Sequence, residues 1–416
     1  MVIFTILMLK TTELSGERIT PFIFDTAFVI GMPKAVIVGY ARTPFGKFRG
    51  ALSSYSATEL GTMVVKELLD RTNIDPKSGD IEQIYMGQVL QSGAGQAPAR
   101  QVALGAGLPY STPCTTVNEV CGSSLKAAMI AASDIMAGQA EIIIAGGMES
   151  MSNAPHFIRN AQRSDEISYQ DLESNLMHDG LRDAYDGSSM GLTGETISSE
   201  HNLTREQSDA YAIRSHALSN AAWKKGWFAK ESIVMNELSV DEGIRTDTDM
   251  SILSNLSPVF KEGGQVTAGN SSQVSDGASA VLIVSEEIAI SKGWPILATI
   301  VDYVTSGVEP NRVMSAPISA VRMLLTRNNL NILDIDIVEH NEAFAAASVA
   351  VQMALSIPED RFNIHGGAVS IGHPLGATGT RCLMTVTNAL NRICGKRGII
   401  TICLGGGNAV GMLIEC

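Results

Sequence analysis

A chain of 416 residues, 45% hydrophobic and 18% charged with 39 glycines, exceeds the size at which one hydrophobic core stops growing; this predicts a soluble globular protein of two or three domains and excludes a disordered or fibrous one. The formal net charge of −13 argues against a nucleic-acid or anionic-membrane surface, so an anionic ligand would need a local basic pocket. The six cysteines form no CxxC pair and no zinc spacing, which points to a reducing compartment and to no metal site.

In chain order, the opening MVIFTILML is too short to span a bilayer and has no basic n-region, and the acidic residues that follow do not suit a transit peptide. Residues 1–31 therefore read as an N-terminal extension of unknown role. Cytoplasm is the expected location, with mitochondrion or peroxisome the alternatives in a eukaryote. A strand at 35–39, a turn-rich loop and a helix near 57–71 start a βα alternation; a second strand is expected at 81–91 and a short helix at 99–106. From Met148 to about Thr267 the sequence turns polar, with three segments that read as exposed amphipathic helices. The clearest runs from Thr204 to Lys225 and makes this region a candidate inserted lid or loop domain. Apolar βα pattern resumes with strands at 278–284 and 298–304, one near Val338, helices at 343–354 and 379–393, and strands at 398–404 and 409–414.

Within this pattern the stretch VNEVCGSSLKA places Cys121 at or just before the start of a small-residue helix. A helix N-terminus carries roughly half a positive charge on unpaired N–H groups, which favours thiolate over thiol and can lower a cysteine pKa toward neutrality. Cys121 is thus either a nucleophile or a buried structural cysteine. The run Ile142–Ala145 then reads as a buried strand ending in Gly146-Gly147. The same order returns near the C-terminus: His373, a helix, a buried strand, and Gly405-Gly406-Gly407. This echo predicts two similar α/β halves with helix N-termini face to face.

A cysteine nucleophile needs a base, and His373, in a glycine-rich loop and held extended before Pro374, is the candidate among only seven histidines. Cys403 ends a buried strand and is either a core residue in a tight turn or a second functional thiol. Asn341 either caps the helix that follows it or belongs to the site. The three glycines after Leu404 miss the spacing of a dinucleotide loop, so no nicotinamide site is expected.

With these residues in hand the chain resembles the thiolases, and within them the acetyl-CoA acetyltransferase (acetoacetyl-CoA thiolase) branch. The motifs VNEVCGSSLKA, AGGMESMSNAPH, TAGNSSQVSDGA, NEAFA, GGAVSIGHPLGATGTR and CLGGGNAVG stand in order between about Met32 and Cys416. The resemblance implies the thiolase fold, a five-layered α/β/α/β/α core from two similar halves, assembled as a homodimer or homotetramer. Its N-terminal half would be 32–152 with 268–295, its inserted loop domain 153–267, covering the CoA site, and its C-terminal half 296–416. It implies reversible Claisen condensation of two acetyl-CoA to acetoacetyl-CoA, with CoA and acyl-CoA thioesters as substrates, no cofactor and no metal, and no nucleic-acid or membrane partner. Cys121 would be the acylated nucleophile, His373 the group that activates it, and Cys403 the acid/base acting on Cα of the second acetyl-CoA. Asn341 would position a water that forms one oxyanion hole with His373; the N–H groups of Cys121 and Gly405 would form the other. Arg245, Ser272, Ala268 and Leu181 would contact CoA, and Met190 and Phe344 would line the acyl end. Two departures bear on chain length: Ser189 stands where the acetoacetyl type usually has a histidine, and SSQVSDG is nearer the 3-ketoacyl-CoA thiolases of fatty-acid breakdown. A broader 3-ketoacyl-CoA thiolase and a non-catalytic acyl-CoA- or lipid-binding protein of the same fold are the alternatives.

Overall fold

Alternation along the apolar strands decides the layering, because successive side chains point to opposite faces and strands buried on both faces are apolar throughout. The computed structural model describes residues 32–162 and 166–416; the extension 1–31 lies outside the described residues. In the strand Ile142–Ser150, Ile142 and Ile144 pack toward the helices Ala57–Thr72 and Pro98–Gly105. Ile143 and Ala145 pack the other way, onto the helices Ser123–Met136 and Thr378–Ile393. Val36 and Val38 of the strand Ala35–Arg42 divide from Ala35 and Ile37 by the same rule. In the C-terminal half Ile400, Ile402, Val410 and Met412 share the central cluster, while Ile399 and Leu413 face the outer helices Ala316–Arg327 and Ala345–Leu355. The result is five layers: helices, sheet, central helices, sheet, helices.

The echo in the sequence is an equivalence of topology. The strand Ala35–Arg42 pairs antiparallel with Ser275–Ser285, which pairs antiparallel with Ile142–Ser150; Gln83–Gly87 and then Cys114–Val117 continue in parallel. In the other half Ala298–Gly307 pairs antiparallel with Asn408–Glu415, which pairs antiparallel with Arg397–Leu404; Ile337–His340 continues in parallel, and a single Val338–Phe362 bridge takes the fifth place. Val36 and Ile37 pair with Thr299 and Ala298, so the two sheets are joined edge to edge. Pro33–Cys416 is accordingly one compact unit and not the two or three domains that length predicts, because both halves bury the same central helices. Those helices meet at their starts: the Thr380 N–H donates to Ser124 Oγ at 3.0 Å, and a Cβ on Gly379 would lie 2.2 Å from the Leu125 nitrogen.

Two expectations need correction. The strand expected at 81–91 ends at Gly87, because the N–H groups of Val89 and Leu90 turn away to a carboxylate, that of Glu149. The helix Arg205–Lys224 has the expected Thr204 start, with a capping box to Gln207, but it is not a solvated helix. Its polar residues Asp209, Ser215, His216 and Ser219 are buried. Each is satisfied across an interface: Asp209 accepts from Asn270, Ser215 donates to Glu342, Ser219 donates to the His365 carbonyl, and His216 Nδ1 accepts from the Arg245 N–H.

Candidate active site

The turn before Cys121 is built from side-chain to backbone bonds. Asn118 Oδ1 accepts from the Val120 N–H at 3.1 Å, and Ser123 Oγ accepts from the Glu119 N–H while donating to the Val120 carbonyl. Val120 is held at φ 48°, a region costly for a β-branched residue. Gly122 is the N-cap, so Cys121 sits just ahead of the helix Ser123–Met136, as the sequence predicts. The expected fall in its pKa does not follow. Burial pushes the thiol up to about 12, opposed by its own N–H and that of Gly405, both of which favour thiolate; the Glu149 charge adds to the rise. Desolvation outweighs the helix terminus because only a small part of Cys121 opens to the cavity, while Val89, Leu90 and Leu375 pack around it.

His373 is fixed by its backbone N–H, which donates to the Gln273 carbonyl at 2.9 Å, and by its ring. Nδ1 lies 2.6 Å from Thr378 Oγ1, and that hydroxyl donates its one proton to the Pro374 carbonyl at 2.9 Å. The hydroxyl must therefore accept from Nδ1–H, which leaves the Nε2 lone pair free. Burial, with Arg381 as the lesser cause, lowers the His373 pKa to about 3, so the ring is a neutral base. Asn341 Nδ2 is 3.4 Å from Nε2. Asn341 is not a helix cap, since the next helix is capped at Phe344; its own amide oxygen is buried without a protein partner. The adjacent Glu342 anchors this turn by accepting from Tyr211, Ser215, Asn363 and the Val369 N–H.

Cys403 closes the strand Arg397–Leu404 among Val313, Met314, Ala343 and Phe344, with Sγ 3.7 Å from the Met314 sulfur. Burial raises its pKa strongly and the neighbouring Cys121 raises it further. The chain then reverses through Gly406 and Gly407 at φ 90° and 91°, a conformation that glycine alone adopts readily. A Cβ on Gly407 would meet the Val308 carbonyl at 2.4 Å. This turn leaves the Gly405 N–H facing Cys121.

Cys121, His373, Cys403, Gly405, Leu181, Met190, Ser272 and Phe344 all line one cavity of about 60 Å³, closed further by Val313, Met314 and Leu375. Ala268 lies outside it, in an apolar groove of about 390 Å³ that shares Ser272 with the cavity. Phe260 in the groove and Phe344 in the cavity meet in a T-shaped pair, ring centroids 6.3 Å apart. Arg245 is exposed and lines neither space. Val120, Thr378, Leu375, Met314 and Glu149 escape the sequence reading; only Thr378, five residues after His373 at a helix start, gave a signal that could have been used. No group of three or more His, Cys, Asp or Glu side chains among the described residues is placed to hold a metal ion. Chemically the cavity offers one thiol facing two N–H donors, a neutral imidazole and a second thiol, a set suited to acyl transfer and to moving a proton at carbon.

Comparison with known proteins agrees with this chemistry. The thiolase N-terminal domain family matches residues 35–287 and the thiolase C-terminal domain family residues 294–416. A probable acetyl-CoA acetyltransferase of Escherichia coli (strain K12) is 41% identical over 392 residues, covering 92% of this chain and 99% of its own length. Acetyl-CoA acetyltransferase 1 of Arabidopsis thaliana is 42% identical over 390 residues, covering 91% and 93%. Among solved structures, the Acat5 thiolase of Ascaris suum in complex with coenzyme A has a TM-score of 0.86 at 37% identity, covering 92% of this chain and 99% of that one. Human mitochondrial 3-ketoacyl-CoA thiolase in complex with CoA has a TM-score of 0.88 at 35% identity, covering 92% and 98%.

Proposed function

The chain belongs to the thiolase family and is an acyltransferase, and on that premise we propose that it is an acetyl-CoA C-acetyltransferase, joining two acetyl-CoA to acetoacetyl-CoA and CoA and running the reverse thiolysis. The observation that carries this reading is that Cys121 and Cys403 open onto one small cavity with His373. A hydrolase needs one nucleophile and a water path; condensation needs an acylated cysteine and a second group that takes a proton from carbon.

In the first half-reaction Cys121 gives its proton to His373 Nε2 as its sulfur attacks the thioester carbonyl, and the departing CoA sulfur takes its proton from Cys403, which leaves Cys403 a thiolate and His373 with a proton on Nε2. A thiol held near pKa 12 and an imidazole near 3 do not exchange a proton at rest. Attack and transfer are therefore concerted, driven by charge developing at the carbonyl oxygen. In the second half-reaction Cys403, as thiolate, removes a proton from Cα of acetyl-CoA. The enolate oxygen is met by His373 and a water that Asn341 orients, and the carbanion attacks acyl-Cys121. The new oxyanion faces the Cys121 and Gly405 N–H groups, each donor of this kind being worth about 3–4 kcal/mol; collapse breaks the C–S bond, and the Cys121 thiolate recovers its proton from His373, with Cys403 already a thiol again. The groove past Ser272 and Ala268 would take the pantetheine, with Arg245 beside the nucleotide, and the active form would be a homodimer or homotetramer.

The small cavity, ended by Met190, Met314 and Phe344, favours a two-carbon acyl group. Ser189 supports a second reading, a broader 3-ketoacyl-CoA thiolase, since a short side chain that accepts from the Gly191 N–H stands next to Met190 in place of a histidine. CoA-dependent cleavage of 3-ketoacyl-CoA from C4 to C16 separates them: turnover confined to C4 and C6 is expected, equal turnover of C12–C16 gives the broader enzyme, and none at any length gives a binding protein.

A further inference from the structure

Glu149 is a fully buried carboxylate that no step of the proposed reaction uses. It lies near the end of the strand Ile142–Ser150, and instead of a cation it holds three backbone N–H groups. Val89 N donates at 3.0 Å, Leu90 N at 3.1 Å and Gly376 N at 2.9 Å. The first two belong to the loop of the N-terminal half that packs on Cys121; the third follows His373 by three residues in the C-terminal half. Around this knot the backbones are too close for side chains: a Cβ on Gly147 would lie 1.9 Å from the Gly376 carbonyl oxygen, and one on Gly376 2.6 Å from that of Met148. Val89, Leu90 and Leu375 form one apolar cluster against Val120 and Cys121. A displacement at Gly376 is thereby passed to His373 on one side and to the wall of Cys121 on the other.

We propose that Glu149 is a positioning residue with two linked effects: it clamps the His373 loop of one half onto the Val89–Leu90 loop of the other, and its negative charge adds to burial in disfavouring the Cys121 thiolate until substrate and His373 are in place. The inference rests on Cys121 as nucleophile and His373 as its base. Burial raises the Glu149 pKa to about 7 against the pull of its three N–H donors, and Asp276 is the other charge acting on it. Asp276 itself is tied to Ser152, and His373 stays neutral in this range.

The two effects have opposite signs, and a variant that keeps the charge but not the reach separates the charge from a mere loosening of the site. Removing the charge while keeping the shape should make Cys121 more reactive toward a small electrophile, yet slow acyl transfer. The test compares the full chain with Glu149→Gln and Glu149→Asp at pH 8, following iodoacetamide labelling of Cys121 by mass spectrometry beside kcat and KM for acetoacetyl-CoA thiolysis. In Glu149→Gln, labelling is expected to be about three- to tenfold faster and kcat at least about tenfold lower, with KM unchanged. Glu149→Asp keeps the charge but not the reach, so labelling stays slow while kcat falls. Labelling no faster in the Gln variant, equally faster in both variants, or an unchanged kcat would each overturn the proposal. If Glu149→Gln does not fold, the unaltered chain decides: its logarithmic labelling rate should flatten around pH 7 as Glu149 ionises, and a straight rise through that range overturns it. Retained turnover in Cys121→Ala would instead sink the nucleophile reading, independently of Glu149.

Discussion

The two halves carry the same strand and helix order to the same place and then do different chemistry with it. In the N-terminal half the strand Ile142–Ser150 runs on through Gly146 and Gly147 without leaving its neighbours and delivers Glu149 beyond them. In the C-terminal half the equivalent strand stops at Leu404, reverses at Gly406 and Gly407, and delivers Cys403 and the Gly405 N–H. The helices that follow Cys121 and His373 differ likewise. One begins behind a thiol in a strained turn; the other begins with Thr378, which sets the tautomer of an imidazole. One topology thus presents two sets of groups to a shared cavity, and the local turn determines which.

The comparison is broken most completely by removing the thiols. Cys121→Ala and Cys403→Ala are each expected to lower turnover by about a thousandfold or more, but only Cys403→Ala should still accumulate acetyl on Cys121 when given acetyl-CoA, as intact-mass measurement would read. Next, the turn at Gly407 and the helix start at Thr378 should fail differently. Gly407→Ala, strained at φ 91° and against the Val308 carbonyl, should lower stability by about 2–4 kcal/mol in denaturant melts, displacing Gly405 as it does so. Thr378→Val keeps the shape but strips Nδ1–H of its acceptor, and kcat should fall about ten- to a hundredfold with little change in melting temperature. The smallest effect sharpens an asymmetry in acid. His340, His365 and His373, all of the C-terminal half, are held by burial at about 3. They charge only on unfolding once pH drops below about 6.5, so the stability present above that value is lost as pH falls, by at most about 1.4 kcal/mol per pH unit for each. His340→Phe should flatten the fall between pH 6 and 4 by one proton, as urea melts at several pH values would record.

What was legible in the sequence is what local pattern dictates. Small residues after Cys121, apolar runs ending in paired glycines, and the echo around His373 are all written within a few dozen residues, and they yielded the two similar halves and the candidates Cys121 and His373; Leu181, Met190, Ser272 and Phe344 came only from the resemblance of the motifs. Asn202 and Thr204 announced a helix start, and the structure completes it with a capping box from Thr204 to Gln207. What stayed hidden was set by partners distant in the chain. The helix Arg205–Lys224 looked solvated because its buried face is polar, and only Glu342, Asn270 and the His365 carbonyl make that face stable inside. Glu149 drew no notice, since nothing near it announces N–H groups arriving from Val89, Leu90 and Gly376. The pKa of Cys121 was misjudged for the same reason: a helix terminus can be read from spacing, whereas desolvation depends on Val89, Leu90 and Leu375 arriving from elsewhere.

The Glu149–Gly376 knot joins points 227 residues apart, and contacts of such separation close late in folding. A chain leaving the ribosome exposes Cys121 long before the segment bearing His373 and Gly405 exists, and domains acquire structure as they emerge. Until that last stretch threads home, the emerging polypeptide has a cysteine with neither base nor oxyanion donor. Competence for chemistry therefore arrives at once, when the segment bearing His373, Cys403 and Gly405 docks, and a chain without that segment stays inert.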